Sequence, residues 1–423
     1  MLDIKFIREN KDLIKLAAKK KHVSFDVDDL IKIDDDRLKR LLDVENLRAT
    51  QNKVSQDVAS AADPSARQSL IDKMKIVKSD LQRKEDELKD LMVKWRALML
   101  QVPNVPDVSV PDGESDADNK EVRTWGDIPK FDFQPKNHAD LMLALDMVDF
   151  ERGSKVAGFR GYFLKGAAVE LCLALWQFTM EQVSKKGYQP FIAPILDRKE
   201  AFFGTGYLPQ FEEDLYKTQA DSYLAGTAEV PMMAYYMDEV LPKEKLPLKM
   251  IAFSPCYRLE AGAHGKDTRG LIRLHEFFKL EQLILCEADH QTSVAFHEEL
   301  TANAEALVQA LGIPYHVVVN CGADIGLGQV KKYDIECWVP TEGKYRETHS
   351  ASYFHDFQTR RLNIRYKDEA GKMHFAHSLN NTALATPRIL VPLIECYQNA
   401  DGSIRVPEVL QKYMGKSVIS KQG

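Results

Sequence analysis

The stretch "YRLEAGAHGKDTRGLIRLHEFFKLE" occupies residues 257–281 and sets charged or aromatic side chains at alternate positions. Arg258 and Glu260 come first, and a Gly-rich segment follows. The later alternate positions are Arg273, His275, Phe277, Lys279 and Glu281. Successive side chains of a strand point to opposite faces of the sheet, so this alternation predicts a strand. We predict that strands 250–260 and 271–285 pair and present one polar floor.

The composition of this floor suits a nucleoside triphosphate. A guanidinium group binds phosphate, an aromatic ring stacks on a base, and a carboxylate accepts from an amino group. An exposed sheet face is the alternative. Against it, Phe277 would waste apolar surface in water, and the turn "AGAHGKDTRG" is large and basic for a simple hairpin.

The segment "SLNNTALATPRILVPLIE" (378–395) predicts a helix start. Thr386 fits an N-cap and Pro387 the first helical position. Arg388 would then lie in the first turn, where the helix dipole disfavours a cation unless a phosphate is bound there. A solvated arginine is the alternative.

Two shorter segments carry weaker signals. "GTAEVP" (226–231) fits a Thr N-cap with Glu229 near the start of a helix, and "KYRETHSAS" (344–352) offers Glu347 as an oxygen ligand for Mg²⁺. The chain has no GxxxxGK[ST] or GxGxxG pattern, so a Walker or Rossmann loop is not expected to hold the phosphate.

The N-terminal part predicts a long helical hairpin. Residues 27–100 contain almost no Gly or Pro, and a coiled-coil seam with one gap at Lys84 runs through Leu70, Met74, Val77, Leu81, Leu88, Leu91, Trp95 and Leu98. The upstream half fits a helix less cleanly. Two antiparallel helices of roughly 35 residues each would reach about 50 Å.

The hairpin is also basic. Residues 1–100 carry a net charge of +3, which leaves −9 for the rest of the chain. Around the tip and the returning arm lie Arg67, Lys73, Lys75, Lys78, Arg83 and Lys84, against two aspartates. This pattern fits a finger that binds a phosphate backbone. A solvated coiled-coil face is the alternative.

The Pro- and Asp-rich segment "VPNVPDVSVPDGESDADNK" (102–120) predicts a linker. We therefore expect an N-terminal domain at 1–101, a linker at 102–120 and a catalytic domain at 121–423. In the last, residues 166–186 favour a helix, and further strands are expected at 315–320, 333–340 and 361–367. The predicted class is α+β, with a mostly antiparallel sheet flanked by helices.

Composition narrows the functional class. No apolar run of about 18 residues occurs, so we expect no membrane span, and the N-terminus lacks the apolar run of a signal peptide. The six cysteines are scattered without a CxxC pair. This favours reduced thiols in a cytoplasmic protein and argues against a cysteine zinc site.

Taken in order, these segments resemble the class II aminoacyl-tRNA synthetases, and specifically the seryl-tRNA synthetase family. "GYQPFIAP" (187–194) is similar to the first, dimer-forming class II motif, residues 257–281 to the second, and "LNNTALATPRILVPLIE" to the third. "TAEVP", "DFQTRRLNIRY" (356–366) and the ending "ADGSIRVPEVLQKYM" strengthen the resemblance, which covers essentially the whole chain.

The resemblance implies a two-step ligase. Serine and ATP, with Mg²⁺ as cofactor, form seryl-adenylate and pyrophosphate; the seryl group then passes to the terminal ribose of tRNA(Ser). Selenocysteine tRNA is a second candidate substrate. The resemblance also implies a homodimer.

The resemblance implies specific site residues as well. Arg258 and Arg388 are the expected catalytic residues, and the expected ATP contacts are Arg258, Leu259, Glu260, Arg273, Phe277, Glu347, Thr348, His349, Ser350 and Arg388. Serine is expected to contact Thr227, Ala228, Glu229, Arg258, Glu281, Asn380 and Thr382. Glu347 and Ser350 are the expected Mg²⁺ ligands. The expected tRNA contacts are Arg67, Lys73, Lys75, Lys78 and Arg269.

Other readings of the sequence remain. The histidines His349, His355, His374 and His377 suggest a metal-dependent hydrolase, but no HExxH pattern occurs and no zinc is expected. A synthetase paralogue that charges a carrier protein would have little use for a long basic hairpin. A coiled-coil scaffold would leave residues 150–423 unexplained.

Overall fold

The computed structural model describes residues 1–262, 265 and 267–421, and the chain forms two compact units that divide between Pro103 and Asn104. The helices of the first unit are α1 (Ile4–Glu9), α2 (Lys11–Lys20), α3 (Val27–Ser60) and α4 (Pro64–Gln101). Both long helices begin at an aspartate. Asp26 accepts from the N–H groups of Asp28 and Asp29, and Asp63 accepts from that of Ala66, which satisfies donors that a helix start leaves free.

Helices α3 and α4 form the predicted antiparallel hairpin. The seam residues of α4 are buried or half-buried, with Val77 and Leu81 the most enclosed. At the gap in the seam, the Lys84 ammonium lies 3.8 Å from the carboxylate of Asp43 on α3. A lysine is tolerated at this position because its stem packs along the seam while its charge finds a partner.

The second unit contains a large sheet, smaller sheets and surrounding helices. Its strands are β1 (Lys120–Trp125), β2 (Val148–Asp149), β3 (Phe163–Leu164), β4 (Gln189–Ile192), β5 (Leu196–Arg198), β6 (Ser222–Leu224), β7 (Val240–Leu241), β8 (Leu248–Tyr257), β9 (Glu276–Cys286), β10 (Tyr315–Val319), β11 (Lys331–Val339), β12 (Lys344–His355), β13 (Arg365–Lys367), β14 (Met373–Phe375), β15 (His377–Thr386), β16 (Ile404–Arg405) and β17 (Val418–Ile419). Its helices are α5 (His138–Ala144), α6 (Phe150–Ala157), α7 (Ala167–Ser184), α8 (Lys199–Thr205), α9 (Glu229–Ala234), α10 (His290–Ala310), α11 (Phe357–Leu362), α12 (Leu390–Cys396) and α13 (Glu408–Met414).

The large sheet has the strand order β1-β10-β11-β12-β15-β9-β8-β4. Each pair is antiparallel except β4 with β8, which is parallel. This is the predicted α+β architecture. Its core face carries Leu280, Ile284 and Leu379, which pack in one apolar cluster with residues of α7 and α10.

The other face of the sheet is polar. Directly opposite residues of an antiparallel pair share a face. Thr382 lies opposite Glu281, Ser254 opposite Lys279, Ser352 opposite Asn380, and Asp334 opposite Ser350. Three further strands, β15, β12 and β11, therefore extend the predicted two-stranded floor.

Three local predictions are wrong. The strand predicted over 271–285 begins at Glu276, so Arg273 and His275 precede it, and its partner predicted over 250–260 ends at Tyr257, before Arg258 and Glu260. Leu271 and Ile272 are neighbours and are both buried, which an alternating strand does not allow. The strand predicted over 361–367 is divided between α11 and β13, because Asn363 ends the helix in the left-handed conformation.

The third error concerns Thr386. It is the last residue of β15 rather than a helix N-cap, and its hydroxyl accepts from the indole N–H of Trp176. Helix α12 begins only at Leu390, so Arg388 lies in the turn between strand and helix.

Residues 104–119, within the predicted linker, pack on the second unit. The Asn104 amide donates to the main-chain oxygens of Gly328 and Phe354 at 2.9 and 2.8 Å, and Val110 is buried. Among the described residues, no helix is both long and apolar enough to cross a membrane.

Candidate active site

Two adjoining cavities lie over the polar face of the large sheet, with volumes of about 90 and 530 Å³. Arg258, Glu347 and Ser350 line both of them. The smaller cavity is further lined by Glu260, Phe277, Lys279, Thr348, Thr382 and Arg388, among others. The larger is further lined by Tyr207, Asp214, Glu229, Asp324, Gln329 and Lys332, among others.

Arg258 follows β8 and is fixed from two sides. Its Nε donates to the Gly226 oxygen at 3.3 Å, and its guanidinium lies 5.4 Å from the centre of the Phe277 ring. The main-chain N–H of Arg258 donates to the oxygen of His275, so the segment before β9 is held next to it. The fixed guanidinium at the junction of the two cavities can bind an anion that spans both.

Glu260 and Arg273 form an ion pair at 2.6 Å. Glu260 has a positive φ of 54°, an uncommon backbone conformation for a glutamate. Arg273 also lies 3.6 Å from Asp267. Glu260 lines the smaller cavity and holds the Arg273 guanidinium beside it, although Arg273 itself lines neither cavity and is outside the strand.

Arg388 and Glu347 face each other at 3.6 Å. The Arg388 Nε also donates to the Ile272 oxygen at 3.0 Å, which fixes its direction. The Glu347 side chain is 48% exposed. Partial enclosure opposes ionisation of Glu347, but the charges of Arg388, Lys332 and Arg258 outweigh it, so the pKa lies below its ordinary value. Glu347 is thus an anion in contact with solvent.

Glu347 and Ser350 lie three positions apart yet share a face. A bulge in the pairing of β11 with β12 inserts Thr348, so that Glu347 lies opposite Glu336 and Ser350 opposite Asp334. One carboxylate and one hydroxyl are hard oxygen donors, which fit Mg²⁺ held mainly by substrate phosphates. Among the described residues, no three His, Cys, Asp or Glu side chains converge as a metal cage.

The Thr227, Lys279 and Glu281 side chains form a buried cluster at the other end of the face. The Lys279 ammonium lies 2.6 Å from the Glu281 carboxylate and donates to the Thr227 hydroxyl at 2.9 Å. The Thr227 hydroxyl in turn donates to Glu281. Thr382 lies directly opposite Glu281, and Asn380 follows on the same face. This cluster can bind a small polar group.

Glu229 is the first residue of α9 and is buried. One of its carboxylate oxygens accepts from Gln358 at 2.6 Å and the other from the Tyr207 hydroxyl at 3.1 Å. Burial and the nearby charge of Glu281 raise the pKa of Glu229 to about 7. Within the described part of the chain, this carboxylate has no ion-pair partner of its own, because Lys279 pairs with Glu281.

Residues 211–397 match the family described as tRNA synthetase class II core domain (G, H, P, S and T), and residues 1–106 match the seryl-tRNA synthetase N-terminal domain. A serine–tRNA ligase of Deinococcus radiodurans is 45% identical over 416 residues, which are 98% of either chain. The chain belongs to the seryl-tRNA synthetase family.

Solved structures agree. A seryl-tRNA synthetase from Pyrococcus horikoshii, complexed with ATP, matches with a TM-score of 0.91 and 36% identity over all of both chains. A cytoplasmic serine–tRNA ligase from Naegleria fowleri, in complex with AMP, gives 0.87 and 32% over 100% of this chain and 99% of that one. The predicted fold class and the predicted enzyme, an ATP-dependent ligase of serine to tRNA, are confirmed.

Seven predicted contact residues of this seryl-tRNA synthetase family member line neither cavity: Thr227, Ala228, Leu259, Arg273, Glu281, His349 and Asn380. Three of them, His349, Leu259 and Ala228, have side chains in other surroundings. His349 lies on the core face opposite Ile335, where burial lowers its pKa to about 4. Leu259 is partly exposed, and its N–H donates to Asp214. Ala228 belongs to an apolar cluster. Only the main chains of these three residues remain available for the predicted contacts.

Tyr353 is a second bulky residue of β12, and it lies on the core face as well. Its hydroxyl donates to Asp107 at 2.9 Å. Neither Tyr353 nor His349 therefore narrows the cavities with its side chain, although both lie near Ser350 in sequence.

The predicted tRNA contacts lie on two elements. Arg67, Lys73, Lys75 and Lys78 are exposed on α4, where Lys75 pairs with Asp72 at 2.9 Å. Arg269, in the loop before β9, pairs with Asp140 at 2.8 Å. The four residues on α4 belong to the first unit, and Arg269 belongs to the second.

Sequence reasoning missed several residues that line the cavities or hold their walls. Lys332 is 3.1 Å from Asp334 and lines the larger cavity, and alternation along β11 was the signal that could have found it. Tyr207 and Gln358 bind Glu229 from segments far away in the sequence, and no local pattern of charge or spacing distinguishes them.

Proposed function

We propose that both steps of serine–tRNA ligation occur over the polar face of the large sheet, with ATP at the Phe277 end and serine at the Glu229 end. One observation carries this proposal. Arg258 lines both cavities and lies between an aromatic and cationic region on one side and a buried acidic region on the other. A single guanidinium there can contact the α-phosphate of ATP and the carboxylate of serine together.

At the ATP end, Phe277 stacks on one side of the adenine ring and Arg388 covers the other. Glu260 accepts from the adenine amino group, and Arg273 and Arg388 bind the γ-phosphate. Leu259, Thr348 and His349 contribute main-chain contacts. Glu347 and Ser350 bind the Mg²⁺ that accompanies ATP, and this ion neutralises phosphate charge when bound.

At the serine end, Glu229 binds the ammonium group. Glu281 and Thr382 bind the hydroxyl, and Thr227, Ala228 and Asn380 complete the pocket. A site that bonds a substrate hydroxyl discriminates against an analogue without it by about 10⁴–10⁵, because its polar groups remain unpaired. This predicts rejection of alanine; threonine is rejected by crowding.

Activation needs no covalent nucleophile from the protein. The serine carboxylate attacks the α-phosphorus, the bond to pyrophosphate breaks, and the mixed anhydride of serine and AMP forms. Arg258 orients both reactants and stabilises the charge that develops on the α-phosphoryl oxygens. The ribose hydroxyl of tRNA then attacks the seryl carbonyl, and AMP leaves.

We further propose that the protein acts as a cytoplasmic homodimer on tRNA(Ser), with selenocysteine tRNA a second candidate substrate. Strand β4 is one of the two edge strands of the large sheet, and Ile192 at its end is 84% exposed. Leu196 and Leu173 add apolar surface nearby in sequence. Such an edge and apolar surface favour a self-complementary interface. Sedimentation is expected to give about twice the chain mass of 48.1 kDa, and a monomer at micromolar concentration would contradict the proposal.

The experiment for the active site is ATP–pyrophosphate exchange with each of the twenty amino acids. Serine should stimulate it most, and stimulation mainly by another amino acid would overturn the proposed pocket. Arg258→Ala is expected to lose well over tenfold in exchange, because a charge-assisted bond to the reacting phosphate disappears. Arg269→Ala is the matched control, since this arginine lies in the same segment between β8 and β9 but lines neither cavity; its exchange rate should stay within about twofold.

A further inference from the structure

Gln358 lies on α11, is fully buried and contacts three other segments. Its Nε2 donates to Glu229 at 2.6 Å and to the main-chain oxygen of Thr205 at 3.2 Å. Its Oε1 accepts from the Ser378 hydroxyl at 2.7 Å. Because the two partners on one side are both acceptors, the amide NH₂ must face them. The orientation of Gln358 is therefore determined by its surroundings.

Glu229 receives one hydrogen bond on each carboxylate oxygen, and both donors are neutral. Gln358 binds one oxygen and the Tyr207 hydroxyl binds the other. Neutral donors fix a carboxylate without cancelling its charge, whereas an Arg or Lys in either place would neutralise it. The Lys279 ammonium, whose charge also acts on Glu229, is 2.6 Å from the Glu281 carboxylate instead.

We propose that Gln358 is a positioning residue for serine binding, which holds Glu229 in place as an uncompensated receptor for the substrate ammonium group. This inference rests on the proposed function, which assigns the ammonium group to Glu229. Glu229 and Tyr207 line the larger cavity, and Gln358 supports Glu229 from behind. The ammonium group of serine thus serves as the counter-ion of the Glu229 carboxylate.

The arrangement has a consequence for pH. The titratable groups that face Glu229 are Tyr207, Lys279 and Glu281, and burial together with Glu281 raises the Glu229 pKa to about 7. The ammonium group binds the ionised carboxylate, so the KM for serine should rise as the pH falls through this range. The Gln358 N–H favours the ionised form and therefore keeps the midpoint of this pH dependence low.

The test is the Gln358→Met variant, assayed by serine-dependent ATP–pyrophosphate exchange between pH 6 and 9. We expect the KM for serine at pH 7.5 to rise about tenfold, the size expected for loss of a hydrogen bond to a charged group. The midpoint of its pH dependence should move up by about one unit. The KM for ATP and the rate at saturating serine should change less than about twofold.

Three further variants make the outcome decisive. Ser378→Ala keeps the Gln358 amide but removes the hydroxyl that donates to its Oε1. The KM for serine and its pH midpoint should therefore rise less than in Gln358→Met. This variant also provides a test if Gln358→Met fails to fold. Thr359→Val is the matched control, because Thr359 is also buried on α11 but its hydroxyl donates to the Ala376 oxygen. Its KM for serine and its pH midpoint should equal those of the parent, whatever its melting temperature.

Glu229→Gln separates the two proposals. A normal KM for serine in Glu229→Gln would overturn the assignment of Glu229 and with it the proposed serine pocket. If Glu229→Gln loses serine binding while Gln358→Met and Ser378→Ala keep the parental KM and midpoint, only the role of Gln358 is overturned.

Discussion

At the scale of single residues, the surroundings of two glutamates in the site shift their pKa values in opposite directions. Glu229 is a buried carboxylate with two neutral donors, and Glu347 is a half-exposed carboxylate among arginines. The same chemical group thus has a raised pKa near 7 in one place and a lowered pKa in the other. Burial decides the first case and nearby positive charge the second.

The raised pKa of Glu229 predicts a cost in stability. The folded state binds the proton more tightly than the unfolded chain, whose glutamates titrate near 4.5. The stabilisation that protonated Glu229 gives the folded state is therefore fully present below pH 4.5 and is lost as the pH rises to about 7. Relative to the parent, Glu229→Gln should gain free energy of unfolding as the pH rises from 5 to 8, by up to about 3 kcal/mol.

Urea unfolding at several pH values measures this change. Because the comparison is between two proteins at each pH, other titrating groups cancel. A difference between Glu229→Gln and parent that stays constant from pH 5 to 8 would contradict the raised pKa. Binding serine should reverse the effect in the parent, since the ammonium group supplies the missing charge.

At the scale of the elements, helix α10 and strands β12 and β15 contain buried histidines. Their pKa values are lowered, whereas the pKa of Glu229 is raised. Burial lowers the pKa of His297, His349 and His377 to about 4. The unfolded chain takes up protons near pH 6.5, before the folded one. Stability should therefore fall between pH 6.5 and 4, on the order of 1 kcal/mol per histidine and pH unit.

His297→Gln tests one member of this set. The imidazole Nε2 lies 2.9 Å from the Ala351 oxygen, and a glutamine amide can donate to the same acceptor without titrating. The stability of the variant should fall less steeply than that of the parent between pH 6.5 and 5. Equal slopes in urea titrations would show that His297 is protonated in the folded state at these pH values.

The elements also show what a sequence can predict. Alternation found the bodies of β8 and β9, because Phe277, Lys279 and Glu281 obey the two-residue period of a strand. It placed Arg273 in the same strand wrongly, since the burial of both Leu271 and Ile272 breaks that period. Alternation holds only where one face is uniformly polar and the other uniformly apolar.

Strand alternation alone could not predict that Glu347 and Ser350 lie on the same face. A spacing of three would put these residues on opposite faces of a regular strand, and only the bulge at Thr348 brings them together. The contacts of Tyr207 and Gln358 with Glu229 depend on three segments that are distant in sequence. The motif resemblance named Glu229, but its supporting side chains follow from tertiary packing alone.

At the scale of the whole molecule, we expect the two compact units to have different functions. The second unit contains both cavities, whereas the exposed Arg67, Lys73, Lys75 and Lys78 lie on α4 of the first. Activation of serine needs only the cavities. We expect the hairpin to bind the phosphates and sugars of tRNA by shape rather than by base edges.

The decisive variant removes residues 40–91 and joins the ends with a short Gly-rich linker. The ion pair of Arg8 with Asp34 and the contact of Arg37 with Trp95 stay in place, so the base of the first unit keeps its anchors. Serine-dependent exchange should stay largely intact, because no residue that lines the two cavities is lost. Aminoacylation of tRNA(Ser) should collapse.

Charge reversal on the hairpin tests the same idea without a deletion. Replacing Lys73, Lys75 and Lys78 with glutamate should raise the KM for tRNA and flatten its salt dependence, because each lost phosphate contact removes roughly one released counter-ion. The KM values for ATP and serine should not change. Lys94→Glu is the matched control, an exposed lysine of the same helix roughly 24 Å from Lys78 at 1.5 Å per residue. If the deletion variant charges tRNA(Ser) as well as the intact chain does, the hairpin is a structural or partner-binding arm, and tRNA is recognised by the second unit instead.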